Sequence, residues 1–160
     1  MTMADRMVVM NAGRIEQIGR PLDVYDQPAT LYVAQFIGSP AINVWTGVVE
    51  ASLDGASIRT DNGLRLALPA SDVTSGMRIS AAFRPEHVAL DGVGPLEARV
   101  SVVEPLGPET YVYLDMAGTR VCARVDRTKA LAPGDPVRCD VAASAIHLFD
   151  AANGARLPQA

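Results

Sequence analysis

The sequence predicts a mostly-β chain: a small barrel or sandwich preceded by a hairpin and two short helices. Three observations carry this expectation. From Asn43 onward the helical period is lost, and apolar residues alternate with polar ones in short runs. Gly, Pro and Asp clusters punctuate those runs, as turns between antiparallel strands require. Residues 1–38 follow another pattern, one tight turn and then two proline-started helical segments.

Met7–Met10, Asn11-Ala12-Gly13 and Arg14–Ile18 read as a hairpin, with Gly13 supplying the positive φ of the turn. The first arm is apolar on both faces and calls for cover on both sides, as inside a sheet with helices above and below. Alternation in the second arm places Ile15 and Gln17 on one face, Glu16 and Ile18 on the other. Pro21 opens a short helix over Leu22–Gln27. Pro28 ends it and starts a second over Ala29–Ile37, where Leu31, Val33, Ala34 and Ile37 share an apolar face. Gly38 and Ser39-Pro40 stop that helix. The expected domain boundary lies here, 1–38 before it and 39–160 after it.

The β part begins with a strand over Val44–Leu53. A hairpin follows about Asn62-Gly63, then a loop over Pro69–Ser75. The expected inward faces are Ile79, Ala81 and Phe83, then Leu96, Ala98, Val100 and Val102. Thr110, Val112, Leu114 and Met116 come next, with Val121, Ala123 and Val125 after them, and Val137, Cys139 and Val141 last. Two weakly similar halves, about 44–90 and 96–149, fit this spacing. Trp45 is expected to anchor the core, and His147 to pack within a strand.

Composition excludes several classes. At 160 residues, 49% of them apolar, there is room for a real core, which argues against disorder. A net charge of −4 and no dense Lys/Arg run argue against a nucleic-acid partner. No apolar run approaches the roughly 18 residues of a membrane helix. Cys122 and Cys139 fit no metal spacing and read as buried reduced thiols, with a disulfide between neighbouring strands as the alternative. No GxxxxGK[ST] loop, GxSxG elbow or HExxH pair is present, and His87 and His147 are far apart. The expected chain is not itself an enzyme and carries no cofactor or metal.

The segment MADRMVVMNAGRIEQIGRPLDVYDQPATLYVAQFIGSPAINV closely resembles the junction in ABC-importer ATPase subunits of the maltose and glycerol-3-phosphate type. Phe83-Arg84-Pro85-Glu86-His87 resembles the RPEH signature of that family. Val103–Tyr111 resembles its next strand pair, and His147-Leu148-Phe149-Asp150 its closing strand. The resemblance runs over about residues 1 to 157. It implies a C-terminal regulatory (TOBE) domain of oligonucleotide-binding-like fold, following the end of a nucleotide-binding domain. In that family the ATP-hydrolysing motifs lie upstream of the stretch that begins at Met1, so ATP and Mg are implied only for an intact subunit. The implied partners are a second copy of the subunit, the importer membrane subunits and a cytosolic regulatory protein. The implied location is the cytoplasm, at the inner face of the cell membrane.

Six residues are candidates for ligand or partner contact: Arg84, Glu86, His87, Glu109, Tyr111 and Tyr113. Arg84–His87 ends a strand and can present charge to a ligand. Its structural alternative is a corner in which Pro85 fixes the bend and the charged groups satisfy turn backbone. The Glu104–Thr110 loop can face a partner subunit. Tyr111 and Tyr113 lie opposite Val112 and Leu114, where they suit an interface or simply cover the barrel. Arg120, Arg124 and Arg127 make a modest basic spread. A second functional reading, a sensor of oxyanions or sugar phosphates, rests on Arg84, Ser80 and Lys129. The hairpin is expected to be disordered, to pair with another copy, or to fold onto the β domain.

Overall fold

The computed structural model describes residues 5–52, 55–127 and 130–159. Strands β1 (Met7–Asn11) and β2 (Arg14–Gly19) form the hairpin, turning through Ala12 and Gly13 at φ 46° and 80°. A register shift at Val9/Met10 places Glu16 opposite the break, pairing Val9 with Gln17 and Met10 with Ile15. That extra residue resets the alternation of β2. Ile15 and Ile18 therefore share an exposed face with Val8 and Met10, not the opposite faces expected. Within the chain the covered face of the hairpin packs on the two helices rather than on the β domain. Val9 packs on Val24, Val33 and Ile37 from helices α1 (Pro21–Asp26) and α2 (Leu31–Phe36). Helix α2 is shorter than expected, because the Thr30 hydroxyl caps it by accepting from the Val33 amide at 3.3 Å and Ile37 is already extended.

Ten strands follow. The first half holds β3 (Asn43–Ser52), β4 (Gly55–Thr60), β5 (Arg65–Ala67), β6 (Arg78–Phe83) and β7 (Val88–Ala89). The second holds β8 (Leu96–Pro105), β9 (Glu109–Met116), β10 (Thr119–Asp126), β11 (Pro136–Val141) and β12 (Ile146–Asp150). All strand pairings among the described residues are antiparallel, in two five-stranded sheets that make a nearly closed barrel: β12-β6-β3-β4-β5 and β10-β9-β8-β11-β7. Each half ends in a 3-10 turn, Pro85–His87 or Ala143–Ala145, after which its last strand crosses to the other half. β7 joins β11 and β12 joins β6. Neither sheet is complete without a strand from the other half, and one core runs through both.

Two expected faces are corrected. A bulge between Val100 and Val102 in β8 leaves Val102 38% exposed and turns Val103 toward the core instead. β6 is buried on both faces, because Ala34 of α2 packs with Ile42, Ala82 and Phe149 on its outer side. Trp45 is buried with its ring edge-on to Phe83, centroids 5.6 Å apart. Cys122 and Cys139 are buried free thiols on strands that do not neighbour one another. Burial pushes them up to about 11 and about 12. After β12 the chain doubles back: the Leu157 amide donates to Leu148, the Arg156 amide to Ala29, and Gly154 accepts from Leu31. The last residues thus fasten the helices to the β unit. Among the described residues no helix is long and apolar enough to cross a membrane.

Candidate functional site

The corner after β6 is where the chain concentrates its buried charge. Arg84 is 1% exposed. Its guanidinium donates to the carbonyls of Ala34 and Ile37 at 3.0 and 2.5 Å and to that of Tyr25 at 3.2 Å. The first two belong to the end of α2, which has unsatisfied carbonyls and the negative end of the helix dipole. The guanidinium also lies 4.0 Å from the centroid of the Tyr25 ring. Arg84 Nε is buried with no acceptor among the described residues. Burial pulls this arginine below its ordinary value, opposed by Tyr25, Glu86 and Asp26. Gly38 makes the fit possible: it sits at φ 107°, and a Cβ there would stand 3.0 Å from the Arg84 guanidinium and 3.3 Å from the Tyr25 ring.

Glu86 continues the network by accepting from the Tyr25 hydroxyl at 2.5 Å. Burial disfavours its charge, but the Tyr25 hydrogen bond, the backbone, Arg124 and His87 together hold the carboxyl below its ordinary value. Tyr25 is pushed up to about 12, by burial first and then by that hydrogen bond. His87 is exposed beside the turn. Arg124 of β10 faces Glu109 at 3.4 Å. The Tyr111 hydroxyl lies 3.3 Å from Glu109 and 3.4 Å from the Ser39 carbonyl, and its single proton serves one of them at a time. Arg84 and Glu86 are thus joined through Tyr25, and Glu109 and Tyr111 form a neighbouring group with Arg124, whose charge also acts on Glu86. Tyr113 stands apart, with Arg120 5.4 Å from its ring centroid.

Sequence reading passed over Tyr25, and over Asn43 as a brace. The Asn43 amide donates to the Cys122 carbonyl and accepts from the Cys122 amide, both at 2.8 Å, so the first residue of β3 holds the edge of β10. A polar residue between Ile42 and Val44 was the one local hint. Tyr25 had none, because its partners come from other elements. Ser80 is buried against Thr46, 2.9 Å away, and Lys129 lies outside the described residues.

The architecture is an oligonucleotide-binding-like β domain with a helical unit riveted to one corner. Residues 81–149 match the TOBE domain family. Over its whole length the chain is 42% identical to the sn-glycerol-3-phosphate import ATP-binding protein UgpC of Chromobacterium violaceum, covering 44% of that protein. It is 40% identical to an ABC transporter ATP-binding protein, y4oS, of Sinorhizobium fredii, with 98% of this chain and 42% of that one aligned. Identity is 38% to the maltose/maltodextrin import ATP-binding protein MalK of Vibrio cholerae, over 93% of this chain and 42% of that protein. The chain spans less than half the length of these curated relatives and corresponds to their C-terminal part. It carries a TOBE domain and is homologous to the C-terminal part of importer ATP-binding subunits. The crystal structure of the molybdate-binding protein ModG shares the fold, with a TM-score of 0.61 and 22% identity over 70% of this chain and 98% of ModG.

Proposed function

We propose that this chain is the regulatory and dimerisation segment of an ABC-importer ATP-binding subunit for sugars or related polar solutes. The observation that carries this is the continuous alignment of hairpin, helices and β unit with the C-terminal part of import ATP-binding proteins. In the same reading residues 1–38 are the end of a nucleotide-binding domain and 39–160 the regulatory domain. The apolar hairpin face of Val8, Met10, Ile15 and Ile18 is the surface that the rest of the nucleotide-binding domain would cover, and that domain would meet the membrane subunits. The subunit would work at the inner face of the cell membrane. This segment has no ATPase activity of its own in this reading: millimolar ATP-Mg should neither bind nor be hydrolysed.

The function is effective concentration, since a contact between two regulatory domains keeps two moving ATPase halves paired. The half-buried tyrosine face of β9, with Tyr111 and Tyr113 beside exposed Val102, is the contact we assign to the second copy. Sedimentation equilibrium on the whole chain tests this, because removing the helices would strand Arg84. A dimer weakened by Tyr113→Glu supports the reading, and a monomer at all accessible concentrations counts against it. A second reading, a cytosolic small-ligand sensor that slows transport, is favoured by one observation, a large cleft of mixed polarity where helices and β unit meet.

A further inference from the structure

That cleft has a volume of about 870 Å³ and is walled by the end of α1, the loop after β5, the turn before β12 and the returning C-terminal residues. Its one cation is Arg156, half-buried and not ion-paired with any carboxylate of the described residues. The guanidinium donates to the Pro28 carbonyl at 3.3 Å and lies 3.5 Å from Gln159 Oε1. It also lies 3.4 Å from His147 Nδ1. An arginine only donates, so Nδ1 accepts and Nε2 carries the imidazole proton. Burial, then Arg156, Arg84 and His87, pull this histidine down to about 4, so it serves as a neutral donor at pH 7.

We propose that the cleft binds a small hydroxylated organic anion of the sugar-phosphate class, with its charged group on Arg156 and its hydroxyls on Gln27, Gln159 and Asp26. The guanidinium has five N–H groups in a planar fork and makes three contacts among the described residues, which leaves donors for a phosphate or carboxylate. Ser144 adds a hydroxyl on the same wall. Asp26 is exposed at the rim, where its carboxylate repels a bare anion but accepts from sugar hydroxyls. The apolar floor of Leu68 and Ile146 suits the carbon face of a sugar. Because one wall belongs to the helices and the others to the β unit and the C-terminal strap, occupancy would stiffen the joint between them. This deepens the sensing reading alone; the subunit-pairing reading stands or falls by sedimentation.

The test uses the full chain and three probes: glucose 6-phosphate, inorganic phosphate and glucose. Glucose 6-phosphate should raise the melting temperature and bind at least about tenfold more tightly than either other probe. Amide shifts in NMR spectra should fall at residues 26–27, 143–147 and 156–159. Arg156→Gln should lower its affinity at least about tenfold. No binding at millimolar glucose 6-phosphate would overturn the proposal, as would equal binding of inorganic phosphate, or shifts centred elsewhere. If Arg156→Gln does not fold, the shift map of the unsubstituted chain decides. If it folds and binds undiminished, the proposal is wrong.

Discussion

The two 3-10 corners are the same turn written in unlike residues. After β6 it is Arg84-Pro85-Glu86-His87, and after β11 it is Ala142-Ala143-Ser144-Ala145. In each, the amide three residues on returns to the first carbonyl, at 3.0 Å for His87 to Arg84 and 2.9 Å for Ala145 to Ala142. In each, the following strand crosses to the opposite sheet. Turn geometry therefore does not require the charged sequence. The difference lies in what covers the corner. The first bears the helices and spends its arginine on their carbonyls. The second is open and lines the cleft. Charge at the first corner is an answer to docking, which a strand-and-turn reading of the sequence does not reveal.

The comparison breaks most sharply at Arg84. Arg84→Ala leaves buried carbonyls of α2 and Tyr25 without donors and should cost about 3 kcal/mol in urea unfolding. Helix amides should lose hydrogen-exchange protection in step. Ser144→Ala, at the open corner, should cost less than about 0.5 kcal/mol. Equal costs would mean that the helices do not depend on the first corner.

The brace between halves comes next. Asn43→Ala strips both hydrogen bonds from the Cys122 backbone and should cost about 2 kcal/mol, again by urea unfolding. A cost near zero would show that strand exchange alone closes the barrel.

Tyr25→Phe keeps the ring under Arg84 but removes the hydroxyl that Glu86 accepts, at about 1 kcal/mol near neutral pH. The sign at Glu86 is fixed by its lowered folded pKa. The carboxylate contributes stability above its ordinary value of 4.5, and that contribution is lost as pH falls through the folded value. In Tyr25→Phe the folded value returns toward the ordinary one, so stability profiles of the two proteins should converge on acidification.

The smallest effect at neutral pH belongs to His147. Its folded pKa of about 4 lies below the ordinary 6.5, so between those values the unfolded chain binds a proton that the folded chain refuses. Stability is full above 6.5 and declines as pH falls toward 4. His147→Gln should leave stability at pH 7 nearly unchanged and flatten that decline. A profile that stays steep would assign the acid sensitivity to other groups.

Alternating apolar residues, the Asn62-Gly63 turn and the proline-started helices were legible because each depends on neighbours within a few residues. Two weakly similar halves were an expectation of the sequence, but nothing in it said that the last strand of each stretch crosses to pair in the other sheet. Bulges escaped the reading. One added residue at Glu16 and another near Ser101 reverse every later side chain, and no composition signal marks them. The candidate list pointed to the corner after β6 and to the Tyr111–Tyr113 face of β9. It could not see that Arg84 is consumed within the chain, that Tyr25 joins it to Glu86, or that Arg124 pairs with Glu109.

By itself the sequence determined the class of fold, the order of its elements and the kinship with importer ATP-binding subunits, since these rest on local periodicity and on residues in order. Only the tertiary structure decided which charges are internal and which face a cleft. Arg84 and Arg156 both lie past strands; Arg84 meets three helix-side carbonyls from segments more than forty residues away, whereas Arg156 meets one such carbonyl, of Pro28, and otherwise lines a cleft. Burial and pairing are properties of what arrives from elsewhere in the chain, and a hydrogen bond between distant residues leaves no pattern in either neighbourhood.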